Sequence, residues 1–165
     1  MVQDKAGYLW FGTLGGASRF DGLEFVNYGL RDGLPDPQVN ALLAMENGSV
    51  WLACGPYLVN FMGSTMHVLK MPLWAKDARI LALASGKDGT LFVGTDGAGL
   101  LSVRDGAVSI PSGFPSDTAT SIRALLPMPD GSLLIGTRSG LLRSGSRGYH
   151  AIPLPTQASF SALAR

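Results

Sequence analysis

The sequence predicts an all-β fold class, and three observations carry this prediction. A segment of about 41 residues recurs four times, with its turn glycine at Gly7, Gly48, Gly89 and Gly131, and a fixed period of this size indicates one supersecondary unit copied in tandem. Charged residues make up 15% of the chain, whereas it holds 22 glycines and 10 prolines, a composition typical of a domain with many turns. No stretch sustains a 3.6-residue apolar period over the length of a helix, so we predict no helix.

Each copy of the repeat divides into four short runs rich in β-forming residues. In the second copy the predicted strands are 39–45, 49–53, 58–62 and 66–71, and in the third they are 80–84, 90–93, 100–103 and 107–110. Four strands in about 41 residues is the size of one β-propeller blade. The sequence therefore predicts about four four-stranded antiparallel blades.

The phase of the repeat places blade boundaries inside the chain rather than at its ends. The predicted segments are a partial blade 1–38, three blades at 39–79, 80–121 and 122–159, and the first strand of a following or closing blade at 160–165. Two interpretations remain open. The chain is a piece of a larger propeller, or its last strand closes a ring of four blades in one chain or of eight in two. A half-propeller would leave two apolar blade faces uncovered, so we predict that the isolated chain self-associates.

Two local features refine the predicted blades. Trp10, Trp51 and Phe92 fall on second strands, where large side chains fill the wedge between neighbouring blades. The dipeptides Asp21-Gly22 and Asp105-Gly106 predict two-residue hairpin loops, because both central positions of such a loop require a positive φ.

The motifs resemble a known repeat family. Residues 4–13 read Asp-x-x-Gly-x-Leu-Trp-x-Gly-Thr, residues 16–22 read Gly-Ala-Ser-Arg-Phe-Asp-Gly, and residues 28–35 read Tyr-Gly-Leu-Arg-Asp-Gly-Leu-Pro. Together with the period, they resemble the two-component regulator propeller repeat, most strongly over residues 1–55 and in phase to about residue 145. The second copy departs from the motif, with Ala53 in place of glycine and Cys54 in place of threonine.

The resemblance implies a role in signalling. Such repeats usually form large propellers in the extracytoplasmic, often periplasmic, sensor region of bacterial signalling proteins. A membrane helix and an output domain, such as a histidine kinase or a diguanylate cyclase, normally follow. We therefore expect ligand sensing or signal relay by dimerisation, with no catalysis by this segment. The sequence shows no signal-peptide pattern.

Composition argues against several other functions. The net charge is +1, whereas nucleic-acid binding needs clustered lysines and arginines, and there is no 18-residue apolar run that would span a membrane. We therefore expect neither a nucleic-acid partner nor membrane contact by this segment. Cys54 is the single cysteine and cannot form an internal disulfide. His67 and His150 lack the short spacing of metal ligands, so we expect neither a metal nor a cofactor.

The predicted binding residues lie on loops that follow second and fourth strands, which share one face of a propeller, and on one innermost strand that borders its axis. An exposed tryptophan near charged groups suits a carbohydrate or an anion. The candidate residues are Arg31, Asp32, Trp74, Arg79 and Arg138 on the loops and Arg123 on the innermost strand.

Two other functions stay open. A propeller without a small ligand is suited to presenting a face to protein partners. A propeller lyase or glycosidase is the least favoured, because the chain has two histidines and no nucleophile motif.

Overall fold

The computed structural model describes residues 1–117 and 119–153 and confirms the all-β fold class. These residues form sixteen strands and two single-turn 3₁₀ helices, Leu30–Asp32 and Leu73–Ala75. The strand predicted at 160–165 lies outside the described residues. In chain order the strands are β1 Val2–Gln3, β2 Leu9–Thr13, β3 Gly16–Phe20, β4 Phe25–Tyr28, β5 Val39–Ala44, β6 Ser49–Cys54, β7 Tyr57–Met62, β8 Thr65–Leu69, β9 Arg79–Ser85, β10 Leu91–Asp96, β11 Leu100–Arg104, β12 Ala107–Ser109, β13 Ile122–Pro127, β14 Leu133–Thr137, β15 Leu141–Gly145 and β16 Gly148–Ile152.

The strands form four sheets, each a meander of four consecutive strands: β1–β4, β5–β8, β9–β12 and β13–β16. The chain divides into two compact units, Met1–Ile80 and Leu81–Arg165, with the division inside β9. Sheets β1–β4 and β5–β8 belong to the first unit, and the other two sheets to the second. Across the described part of the chain, no helix has the length and apolar character needed to cross a membrane.

The core of the first unit is centred on Trp10, whose side chain is 1% exposed. Its indole stacks on Tyr28, with ring centroids 5.7 Å apart, and lies 4.9 Å from the ring of Phe61 on β7. Other buried members of this cluster are Ala17, Leu34, Val39, Val50, Leu52, Cys54 and Val59. The predicted packing role therefore applies fully to Trp10, whereas Trp51 and Phe92 are half-buried.

The second unit has a separate core of smaller side chains. Ala82 and Ala84 on β9 join apolar residues of the next strands and of the β12–β13 connection. The other buried members are Leu100, Phe114, Ala119, Ile122, Leu125, Leu133 and Ile135. Phe114 meets Tyr149 on β16 edge-to-face at 5.2 Å.

The glycine of the Trp-x-Gly-Thr motif stands where neighbouring sheets approach most closely. A Cβ atom at Gly12 would lie 2.6 Å from Val39 Cγ1, and one at Gly94 would lie 2.8 Å from Ile122 Cγ2. Neither glycine has a positive φ, so the requirement is for space rather than for backbone freedom. In each unit the first strand of one sheet therefore presses on the second strand of the preceding sheet.

The threonine of the same motif closes the loop that follows. Thr13, Thr95 and Thr137 each donate from Oγ1 to the carbonyl of a loop glycine, at 3.0, 2.8 and 2.9 Å. In the second copy this position is Cys54, which is buried. Burial, with a smaller contribution from the Asp36 charge, raises the pKa of its thiol to about 12, so the thiol stays protonated at neutral pH.

One of the two predicted hairpin loops is confirmed and the other is wrong. β11 and β12 are joined by Asp105 and Gly106, with φ of 50° and 78°. In the first copy, β3 and β4 are joined by the four residues 21–24 instead of two. There the Asp21 carboxylate accepts hydrogen bonds from the backbone N–H groups of Leu23 and Glu24, both at 2.8 Å, which closes the longer loop.

Replacing Gly94 with alanine should destabilise the second unit. The new Cβ would press on Ile122, and overpacking of this kind typically costs about 1–3 kcal/mol. Urea unfolding should show a lower midpoint with an unchanged slope. Gly145→Ala is the control, since its Cβ would meet nothing closer than 3.9 Å. Equal midpoints for the two variants would contradict the close-approach argument.

Candidate ligand-binding pocket

A cavity of about 310 Å³ opens between sheets β1–β4 and β5–β8 of the first unit. This volume is at the lower end of small-molecule sites, which are usually apolar with a few placed polar groups. Apolar lining comes from Trp10, Val50 and Phe61, and polar lining from Asp4, Lys5, Tyr8 and Arg19.

The pocket lies at the end of the strands opposite to the loops that the sequence analysis selected. Residues 4–8 join β1 to β2, and the pocket also contacts Gly48 and Gly63, which lie in the β5–β6 and β7–β8 turns. In an antiparallel meander, first-to-second and third-to-fourth strand turns share one end, and second-to-third strand loops lie at the other. The pocket and the loops that carry the predicted binding residues therefore lie at opposite ends of the sheets.

The Asp4 carboxylate is engaged by its own turn and by Trp10. Oδ1 accepts hydrogen bonds from the backbone N–H groups of Ala6 and Tyr8 at 2.9 and 3.0 Å. Oδ2 accepts the indole N–H of Trp10 at 2.8 Å. This carboxylate thus fixes the turn and orients the tryptophan that forms the floor of the pocket.

Arg19 lies on β3 directly opposite Trp10 in the β2–β3 register, so both side chains are on the same face of the sheet. Its guanidinium carbon lies 4.7 Å from the centre of the Tyr8 ring and 5.9 Å from that of Trp10. Its Nε is buried and has no hydrogen-bond partner within the described part of the chain. A buried donor without a partner loses its hydration and gains nothing in exchange.

The fourth copy of the repeat shows what an arginine at this position ordinarily does. Arg143 lies opposite Leu134 in the β14–β15 register. Its Nη2 donates to Asp130 Oδ2 at 2.5 Å and its Nε donates to Ser132 Oγ at 3.0 Å. In the third copy Ser102 holds the equivalent position opposite Phe92, and Arg104, two residues further along β11, bonds Asp88 and Thr90.

The first copy keeps the arginine but lacks both of its partners. Counted from the turn glycine, Ala6 occupies the position of Asp130, and Tyr8 occupies that of Ser132. The Tyr8 ring supplies a cation–π contact to Arg19, which leaves the hydrogen-bonding edge of the guanidinium unmatched. Asp21 does not replace the lost carboxylate. Among residues 1–117 and 119–153, its carboxylate forms no ion pair within 4.0 Å.

The turn aspartates of the later copies accept hydrogen bonds within their own turns. Asp88 and Asp130 accept from the backbone N–H two residues on, at 3.2 and 3.0 Å. Hydrogen bonds from the Ser132 side chain and backbone, followed by the contribution of Arg143, lower the pKa of Asp130 to about 2. Thr90 first, and Arg104 to a smaller extent, likewise lower the pKa of Asp88.

Four of the predicted binding residues lie in the first unit. Arg31 and Asp32 are exposed in the 3₁₀ turn after β4, and the Asp32 carboxylate caps that turn by accepting the Gly29 N–H at 2.9 Å. Trp74, in the second 3₁₀ turn, is 53% exposed. Arg79 begins β9 and donates to the side-chain oxygen of Gln38.

The other two predicted residues lie in the second unit and are exposed. Arg123 is at a register shift in β13, and Arg138 follows β14, where its backbone N–H donates to Ser121 O at 3.2 Å. None of the six predicted residues lines the pocket, and no hydrogen bond among described residues joins two of them. Their role in binding stays a prediction.

Arg19 and Tyr8, which line the pocket, are not among the residues predicted from the sequence. The signal that could have found them is the alignment of the four copies, in which Ala6 stands where the others have Asn47, Asp88 and Asp130. Within the described ranges there is no group of three or more histidine, cysteine or acidic side chains that could hold a metal ion.

Comparison with known proteins shows the fold. Crystal structures of the extracellular domain of BT4673 from B. thetaiotaomicron, described as a one component system and as a hybrid two component system, match with TM-scores of 0.80 and 0.77 at 18% and 19% identity. Virginiamycin B lyase from Staphylococcus aureus matches with a TM-score of 0.74 at 15% identity, and the WD40 β-propeller domain of Doa1 with 0.66 at 10%. The β-propeller class is therefore confirmed.

These matches differ in how much of each protein they cover. The two BT4673 structures match 94% and 90% of this chain, which spans 23% and 21% of their length. Virginiamycin B lyase matches 94% of the chain, which spans 55% of the lyase. The Doa1 domain matches 82% of the chain, which spans 45% of that structure. A piece of a larger propeller fits these proportions. No protein-family model and no curated protein matches the chain.

Because its pKa is lowered on folding, the Asp130 carboxylate contributes stability that is present above its unfolded pKa and lost as the pH falls. The wild-type protein should therefore lose stability between about pH 4 and pH 2 more steeply than Asp130→Asn. Urea midpoints at several pH values measure the difference. The control is Asp77→Asn, whose carboxylate has a 3.9 Å contact with Lys76. Parallel pH profiles for wild type and Asp130→Asn would contradict the assignment.

Proposed function

We propose that this chain is a propeller segment of the extracytoplasmic sensory part of a bacterial signal-transduction protein. In this role it binds a small ligand or relays a signal by dimerisation, and any kinase or cyclase activity belongs to an output domain outside this segment. The observation that carries the proposal is the fold match over 94% of the chain to an extracellular domain of a signalling system. The repeat motif at residues 4–13 supports it independently.

The pocket between the first two sheets supports the ligand-binding version. It combines an aromatic floor with an arginine that lacks the partners found in the fourth copy. Packing of the sheets does not depend on that ion pair, because exposed pairs contribute little to stability. A binding protein gains from leaving the arginine for its ligand.

The cellular side of the proposal is tested by topology. The reading frame should continue at the locus into further blades, a membrane helix and an output domain. In spheroplasts of the source bacterium, added protease should digest the propeller while a cytoplasmic marker stays intact. Protection of the propeller together with that marker would refute an extracytoplasmic sensor.

An uncovered aromatic face in the first unit supports the dimerisation version. Phe25 on β4 is 58% exposed, and its ring lies 4.6 Å from Phe20 and 6.0 Å from Phe11. Phe20 is paired with Leu9 and Phe25, so this cluster is on the sheet face opposite to Trp10. Exposed apolar surface of this kind favours association with another sheet.

The chain of 165 residues should therefore self-associate at micromolar concentration, as measured by light scattering. Phe25→Glu should shift the population toward monomer, because it places a charge in the aromatic cluster. Leu23→Glu is the control, since Leu23 is 90% exposed in the β3–β4 loop. A clean monomer mass for the wild-type chain would rule out this self-association.

A further inference from the structure

We infer that the pocket between the first two sheets is a binding site for a small organic carboxylate with a flat apolar body, and that Arg19 receives the carboxylate. The inference deepens the proposed sensory function and rests on it for its biological use. The site itself is defined by residues of this chain.

The equivalent arginines of the fourth and first copies differ in their hydrogen-bond partners. In the fourth copy, Nε and Nη2 of Arg143 are matched by two oxygens, one from Ser132 and one from Asp130. In Arg19 the equivalent Nε is buried and has no hydrogen-bond partner in the described part of the chain. A guanidinium presents these N–H groups as a planar fork that fits the two oxygens of one carboxylate.

The carboxylates near Arg19 already accept hydrogen bonds from other groups. Asp4 accepts three hydrogen bonds from its own turn and from Trp10. Asp21 accepts two from backbone N–H groups of its loop, and the Arg19 charge is the smallest of the influences that lower its pKa. An oxygen pair from outside the chain would therefore complete the arrangement.

The lining of the pocket beside Arg19 indicates what the rest of the ligand is like. Beside Arg19 the pocket is lined by Trp10 and Phe61, whose rings are 4.9 Å apart and belong to different sheets. Aromatic walls favour a flat apolar group, and a volume of about 310 Å³ admits a single small molecule. Lys5, which donates to the Glu46 carbonyl at 3.3 Å, adds a second positive charge at the rim.

The probe is benzoate, which has a carboxylate on a flat ring, and benzamide is its neutral counterpart. Benzoate should raise the Tm of the 165-residue chain in a dose-dependent manner, whereas benzamide should not. Calorimetry then gives the Kd. An absent response to benzoate, or an equal response to phosphate or sulfate, would overturn the carboxylate assignment.

Arg19→Gln should weaken benzoate binding by about tenfold or more, the usual effect of removing a charged hydrogen-bonding partner. Arg143→Gln is the matched control, because it removes the equivalent arginine of the fourth copy and should leave the Kd unchanged. Equal Kd values for wild type and Arg19→Gln would overturn the proposal.

Ala6→Asp gives a test that does not depend on losing an interaction. It restores the carboxylate present at Asp130 and should occupy Arg19 internally. We expect a higher Tm without ligand, loss of the benzoate response, and coupling to Arg19→Gln in a double-mutant cycle. The proposal is overturned if the effects of Ala6→Asp and Arg19→Gln on stability are additive and the Ala6→Asp protein still binds benzoate.

The two proposals fail separately. If benzoate binds through Arg19 but the protein is protected from protease in spheroplasts, the site stands and the sensory function falls. If the protein is extracytoplasmic and Arg19→Gln leaves binding unchanged, the sensory function stands and this site falls.

Discussion

Sheet-on-sheet packing is the interaction on which the rest of this structure depends. One four-stranded repeat cannot bury its apolar face alone, and stacking against a neighbouring sheet covers that face. Within each unit, the first strand of one sheet meets a glycine on the second strand of the sheet before it, as at Gly12 with Val39 and Gly94 with Ile122. In the first and third copies the motif glycine is therefore required for packing against the next sheet. The buried aromatic and aliphatic side chains then fill the space beside that contact.

Because the fold is held by burial, the turns at the rim are free to diverge. The ion pairs of Asp88 with Arg104 and of Asp130 with Arg143 involve half- to mostly exposed side chains, and exposed pairs contribute little to stability. A copy that loses such a pair keeps its fold. Arg19 in the first copy illustrates the result: a structural position of the repeat becomes a group with unsatisfied hydrogen-bonding capacity next to a cavity.

A pocket between two sheets also links ligand binding to packing. Arg19 and Trp10 belong to the first sheet and Phe61 to the second, so an occupant contacts both. Such a ligand stabilises whichever arrangement of the two sheets it fits best, by an amount set by its differential affinity for the alternatives. A sensor needs this coupling, whereas a scaffold does not.

The sequence by itself determined the all-β class, the number of copies and the tight Asp105-Gly106 loop, because period, composition and two-residue turn chemistry are local properties. It also held the clue to the Arg19 site in the substitution of Ala6 for the turn aspartate. The location of the pocket and the isolation of Arg19 were decided by the tertiary structure. Each of these depends on which side chains face one another across strands and sheets, and spacing along the chain does not specify that.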